Sequence, residues 1–193
     1  MFLAACAAVR LAGQAPPRTW GRISDLAPGV FLVARRDLPD PNFLNTVVLL
    51  TQFGRGGAAG LVINRRSRIQ VSRLYPGFEG RLRDDPVYWG GPVAMETVSA
   101  LVRQPGKAEP LTPVFEDVQL MAANGMSREW LASRESGAVR VFAGYSGWSP
   151  GQLQREVEQQ TWHILPGSPA LVFDESPGTV WRRLIGRTES SVA

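Results

Sequence analysis

The stretch from Asn45 to Asn64 limits the fold more than any other part of the chain. Asn45 to Phe53 (NTVVLLTQF) is rich in β-branched residues and too continuously apolar for a half-exposed strand, so it reads as a buried central strand. Gly54-Arg55-Gly56-Gly57 then supplies the positive-φ freedom that a tight hairpin needs. Gly60-Leu61-Val62-Ile63-Asn64 returns as the partner strand.

Shorter runs fill in the rest. Gly29 to Arg35 (GVFLVAR) is expected to be the first strand, and the two prolines of Asp37-Leu38-Pro39-Asp40-Pro41-Asn42 make a rigid turn. One helical turn is expected around Val71 to Tyr75. Pro86 to Trp89, Thr97 to Arg103, Val114 to Met121 and Ala138 to Ala143 read as strands, as do Trp162 to Leu165 and Ala170 to Phe173. Ser127 to Arg134 reads as a short helix closed by Gly137. A second helix starts where Ser149 can cap, Pro150 fits the first helical position and Gln152 occupies the reciprocal capping position. Leu153 and Val157 share one face of it. Ser176-Pro177 repeats the start signal ahead of a final helix whose apolar face is Val180, Trp181, Leu184 and Ile185. Strands outnumber helices and lie too close in sequence for helical crossovers. The expected architecture is therefore a single α+β domain with a mixed, hairpin-rich sheet and short flanking helices. It should span residues 20–187, between a flexible tail at 1–19 and a short tail at 188–193.

Composition removes many chemistries. A chain of 193 residues suits one domain with a sizeable core. One cysteine (Cys6) makes neither an internal disulfide nor a thiolate zinc cage, and one histidine (His163) excludes sites that need two imidazoles. The single lysine, in Gly106-Lys107-Ala108, does not end a phosphate-binding loop. No apolar run is long enough to span a membrane. Phe2 to Val9 lacks the preceding positive charge of a secretory signal. Leu3-Ala4-Ala5-Cys6 has the look of a lipoprotein cleavage box, with nothing ahead of it to act as a signal. A flexible tail or a start codon placed upstream of the true one is the expectation. Charge is concentrated: Arg55 to Arg83 holds seven arginines and one acid, Glu79, a local balance of +6 against +4 for the whole chain.

Several motifs occur together and in order: Phe31-Leu32-Val33-Ala34, Asp40-Pro41-Asn42-Phe43, Thr46-Val47-Val48-Leu49-Leu50, Gly60-Leu61-Val62-Ile63-Asn64-Arg65, Val87-Tyr88-Trp89-Gly90-Gly91-Pro92-Val93, and Gly144-Tyr145-Ser146-Gly147-Trp148 running into Pro150-Gly151-Gln152-Leu153. From Gly29 to Ile185 this pattern resembles the YqgE/AlgH family of bacterial proteins. The resemblance implies a cytoplasmic α+β domain with a strongly bent, barrel-like sheet and no established activity. Members are often labelled transcriptional regulators. It also implies departures here: Phe53 and the region of Arg103 stand where the family has histidines, Arg66 replaces a proline, Gln154 an acid, and Gln160 the glycine that ends a helix.

Three functional readings follow. The first is a non-enzymatic module, with a regulatory role, that binds a small anionic ligand or a protein partner. Its site would be a cleft where the glycine bends meet, lined by Asn64, Gly90, Gly91, Tyr145, Ser146, Gly147, Trp148, Gly151 and Gln152. The start of the helix after Ser149 would offer free N–H groups to an anion. The bland reading of the same residues is a core with tight turns. No catalytic set, cofactor or metal is expected. The second reading is an enzyme acting on an anionic metabolite in that cleft. It is weakened because Gly144-Tyr145-Ser146-Gly147 misplaces the second glycine of a nucleophile elbow, because the order Ser146, His163, Asp174 is wrong for an α/β-hydrolase, and because the family accepts alanine at the serine. The third is nucleic-acid binding through Arg65, Arg66, Arg68, Arg73, Arg81 and Arg83. The bland counterpart is a solvated loop, and no DNA- or RNA-binding signature accompanies the charge.

Overall fold

Short β-branched runs separated by glycine, proline and Asp/Asn turns leave no room for helical crossovers, so neighbouring runs pair directly. The computed structural model describes residues 21–189. Its strands are β1 (Val30–Ala34), β2 (Val47–Gly54), β3 (Gly57–Val62), β4 (Arg66–Gln70), β5 (Pro86–Trp89), β6 (Val93–Arg103), β7 (Thr112–Phe115), β8 (Val118–Met121), β9 (Val139–Trp148) and β10 (Trp162–Pro166). The helices are α1 (Val71–Leu74), α2 (Arg128–Ala132), α3 (Gln152–Glu158), α4 (Pro169–Val172) and α5 (Val180–Glu189). Among the described residues no helix is long and apolar enough to cross a membrane. The expected tail at 1–19, with Cys6, lies outside the described residues.

The sheet runs β10-β1-β2-β3-β9-β6-β8-β7 and is strongly curled, as a half-barrel. All pairs are antiparallel except β5 with β9. The central hairpin pairs Val48 with Val62 and Leu49 with Leu61, closing at Gly54 and Gly57. Phe31, Val33, Leu49 and Leu61 face α4 and α5, which contribute Leu171, Val172, Val180 and Leu184. Leu32, Val48, Leu50 and Val62 face the opposite side, covered by Leu153 and Val157 of α3 with Trp148 and Trp162. Cover on both faces explains why β2 is apolar without alternation.

Strand β9 is the spine. Its first half pairs with β5 (Val87 with Val141, Trp89 with Ala143), and its second half pairs with β3 (Gly60 with Ser146, Ala58 with Trp148). The transfer happens at Gly144, which has φ +70°. On the other edge β6 follows the bend by a wide bulge: Val93 pairs with Tyr145 and Val98 with Ala143, and Ala94 takes φ +45°. Gly90 and Gly91 press against the inside of the bend. A Cβ on Gly90 would lie 2.3 Å from the Gly144 oxygen, and one on Gly144 would lie 2.6 Å from the Gly91 oxygen. Only glycines let these backbones meet.

Four elements differ from the sequence expectation. Val114 to Met121 is not one strand: Glu116 takes φ +44° and the chain reverses, pairing Phe115 with Val118 across a β7–β8 hairpin. Ala170 to Phe173 belongs to a helical turn rather than a strand, because Ser168-Pro169 starts a helix as Ser176-Pro177 does, with the Ser168 carbonyl accepting from the N–H groups of Leu171 and Val172. Residues 66–70 form β4, an edge strand too polar to show a core-facing pattern. Thr188, expected in the C-terminal tail, is buried in α5 and donates from Oγ1 to the Ile185 carbonyl.

If the bend depends on bare backbone, Gly144→Ala should cost about 3 kcal/mol, from the left-handed φ and the contact with Gly91 together. Gly178→Ala, where a new methyl group meets open space, should change stability by less than about 0.5 kcal/mol. Urea unfolding of the two variants checks the contrast.

Candidate functional site

The glycine bends converge, but they fill the space they share. Gly90 donates its N–H to the Ala143 carbonyl (2.9 Å), while its own carbonyl accepts from the Val62 N–H (2.8 Å). The same carbonyl accepts from the hydroxyl of Ser146 (3.2 Å). Ser146 is fully buried. The expected loop from Gly144 to Gly151 is therefore mostly strand, and Ser146 ties β9 to Gly90 from inside the sheet. Asn64 is also spent on the fold. Its side-chain oxygen accepts from the Val47 N–H (2.8 Å) and its amide donates to the Asn45 carbonyl (2.9 Å). It anchors the end of β3 to the start of β2, not to Gly90 and Gly91.

Gly151 and Gln152 form the entry to α3 rather than an anion site. Gly151 precedes the helix at φ +76°, and the Gln152 side-chain oxygen accepts from the Ser149 N–H (3.1 Å). The Gln152 amide donates to Glu156 Oε1 (3.0 Å). The indole N–H groups of Trp148 and Trp162 both donate to Glu156 Oε2, each at 2.8 Å. Phe43 stacks near Trp148 and meets Trp162 edge-on. One carboxylate thus organises two buried tryptophans, with three of its acceptor positions engaged. Sequence reading missed this hub; two tryptophans flanking an amphipathic helix with an inward acid is the signal that could have shown it.

Tyr145 and Gly147 do reach the surface. Together with Gln52, Ala58, Ala59, Val93, Ser149 and Pro150, they line an open hollow of about 610 Å³ between the β2–β3 hairpin and the end of β9. The Tyr145 ring lies over Gly147, where an added Cβ would sit 3.2 Å from it. Trp148 touches this hollow but is a core residue, 5% exposed. On the other side of the Gly91 bend lies a smaller hollow of about 260 Å³, where Gly91 and Pro92 meet Arg65, Trp89 and Met95.

No catalytic arrangement is assembled among Ser146, His163 and Glu156. His163 is buried on β10, paired with Val33 of β1, four strand spacings from Ser146 along the sheet.

The arginine stretch is divided among separate jobs. Arg65 donates to the carbonyls of Asn42 (2.6 Å), Leu44 (2.9 Å) and Pro41 (3.3 Å), holding the proline turn. Burial lowers its pKa from the ordinary arginine value, with Asp40 opposing. Arg81 pairs with Glu135, and Arg83 pairs with Glu79 at 2.6 Å. Arg66 and Arg68 alternate outward on β4, and Arg73 is exposed on α1. Three of the six, Arg65, Arg81 and Arg83, are thus held by protein partners, and three, Arg66, Arg68 and Arg73, stand exposed.

Comparison with known proteins agrees with the motifs. The model of the family described as AlgH-like matches residues 31–193. A UPF0301 protein of Anaeromyxobacter dehalogenans is 40% identical over 177 residues, covering 84% of this chain and 87% of that one. A UPF0301 protein of Streptomyces avermitilis is 33% identical over 171 residues, covering 86% and 88%. The chain belongs to the AlgH-like family. Its fold matches the crystal structure of a Corynebacterium diphtheriae protein with a TM-score of 0.71 at 25% identity, over 84% of this chain and 87% of that one. It matches the solution structure of Pseudomonas aeruginosa AlgH with a TM-score of 0.69 at 25% identity, over 91% of each. The AlgH-like family has no established activity.

One family departure has a direct structural consequence. Gln160, standing where the resemblance implies glycine, takes φ +56°. Its N–H donates to the Val157 carbonyl (3.0 Å), and the Thr161 N–H donates to the Glu156 carbonyl (2.9 Å), so the helix keeps a glycine-type ending without the glycine. Gln160→Gly should therefore stabilise the protein by about 0.5 kcal/mol, the relief of left-handed strain outweighing the entropy of glycine. Gln160→Ala should bring no such gain, as measured by thermal and urea unfolding.

Proposed function

We propose that the chain is a non-catalytic binding module of the cytoplasm, with a regulatory role exercised through a partner rather than through chemistry on a substrate. Its recognition surface is the outer side of the β9 bend: Tyr145 and the larger hollow, with Val93 alongside. One observation carries this reading. Tyr145 and Val93 are each 36% exposed, cross-strand neighbours on backbone that is locked from beneath by Gly90 and Gly91. Clustered apolar side chains on a rigid bend are the pattern of a recognition patch rather than of a scattered surface residue. The hollow is open and carries no charged side chain. An apolar or aromatic group of a partner suits it better than a small anion does.

The enzyme alternative has no support in the geometry, since the serine and histidine are sealed apart and the glutamate is held by two indoles. The nucleic-acid alternative is less favoured, because Arg65, Arg81 and Arg83 of the six are held by protein partners.

Titration with uncharged aromatic probes such as indole, followed by amide NMR, tests the reading. Shifts should centre on Ala58, Ala59, Val93 and Tyr145, and Tyr145→Asp should weaken them about tenfold without unfolding the protein. Absence of binding at millimolar probe, or shifts centred elsewhere, contradicts it.

A further inference from the structure

Away from the Tyr145 surface, at the N-terminal end of β9, a separate cavity of about 240 Å³ is lined by Arg66, Arg140, Tyr88, Phe173, Ser136 and two acids, Asp85 and Glu175. Arg140 is its unusual member. In an alternating strand it should be an outward charge, yet it is only 7% exposed. The guanidinium lies over the Tyr88 ring, 4.7 Å from the centroid. It donates from Nη2 to the Asp174 carbonyl and, at 3.5 Å, from Nη1 to the Ile63 carbonyl. Two neutral carbonyls take only part of the capacity of a group with five N–H donors. The Asp174 carboxylate is engaged elsewhere, by the Ser176 N–H (2.8 Å) and by Arg183 (2.8 Å).

A buried cation normally acquires a carboxylate, because removal from water is costly without a counter-charge. Here the charges in range are another cation, Arg66, and the Asp174 carboxylate, which is already bonded to Ser176 and Arg183. Burial foremost, with Arg66 adding to it and Tyr88 and Asp174 opposing, lowers the Arg140 pKa from the ordinary arginine value. Neither arginine has an acid within ion-pair distance among the described residues. Of the two acids in the wall, Asp85 accepts from the Ser136 hydroxyl (2.9 and 3.0 Å), and Glu175 is exposed at the rim. Two forked donors facing one small space, with an aromatic wall, form a receptor for an oxyanion.

We propose that this cavity is a phosphate-class oxyanion site in which Arg140 and Arg66 are the ligand-binding residues and Tyr88 and Phe173 are the walls. The cavity is too small for a nucleotide and takes a phosphate or the head of a phosphomonoester. Glu175 opposes entry and sets the affinity from the rim. The site is separate from the Tyr145 surface, and neither depends on the other.

The full chain is titrated with inorganic phosphate and, separately, with phenyl phosphate at constant ionic strength, with chloride as control, and amide shifts and melting temperature are followed. Binding with a Kd of about 1 mM or tighter is expected, with shifts at Arg66, Tyr88, Arg140 and Phe173. Tighter binding of the phenyl ester identifies a phosphomonoester as the source, and equal binding identifies free phosphate. Arg66→Gln, at an exposed position, should keep the fold and weaken binding at least about tenfold. Glu175→Gln should tighten it. Arg140→Gln is informative only if its melting curve shows a folded protein, so the Arg66 and Glu175 variants carry the test. No phosphate-specific shift beyond the chloride control overturns the proposal, as does Arg66→Gln binding like the parent.

Discussion

The structure hangs on a backbone crossing. Gly144 turns β9 out of its pairing with β5 and into its pairing with β3, and Gly90 and Gly91 occupy the inside of that turn. Each partner excludes a side chain from the other. Gly90, just past β5, is hydrogen-bonded to two strands, Ala143 and Ser146 of β9 and Val62 of β3. A ten-stranded sheet that changed partners without such a joint would leave buried N–H and carbonyl groups unmatched at the fork. The curl of the half-barrel and the exposure of Tyr145 on its outer side both follow from this turn.

Around the joint, polar groups do structural work that a sequence reader credits to chemistry. Ser146 and Asn64 look like site residues because they are polar and follow apolar strands. In fact Asn64 satisfies backbone groups of Asn45 and Val47, and Ser146 satisfies its own buried hydroxyl on the Gly90 carbonyl. Glu156 does the same for two indoles. What stays exposed on the outer side of the bend is Tyr145 and Val93, while Arg140 lies buried at the other end of β9.

The β2–β3 hairpin, β1, β5 and the apolar face of α5 were legible because periodicity and glycine turns report directly on local pairing. The curl was not legible from pattern and came only through the family resemblance, since it depends on which distant glycines touch. The burial of Arg140 was not legible for a related reason: the Tyr88 ring and the segment around Asp174, which cover its guanidinium, lie far away in sequence. Val114 to Met121 hid a reversal because Glu116 gives no glycine or asparagine signal for its left-handed φ. The arginine stretch was legible as charge but not as pairing, because Glu135 and the Asn42 carbonyl lie far away in sequence.

Native-state hydrogen exchange at the amides of Val62 and Gly90, the two that close the crossing, tests the account most directly. If the joint holds the sheet together, both exchange only through global unfolding, with a denaturant dependence matching that of core amides such as Ile63. Exchange of Val62 and Gly90 through a local opening insensitive to denaturant, while Ile63 stays protected, would contradict it.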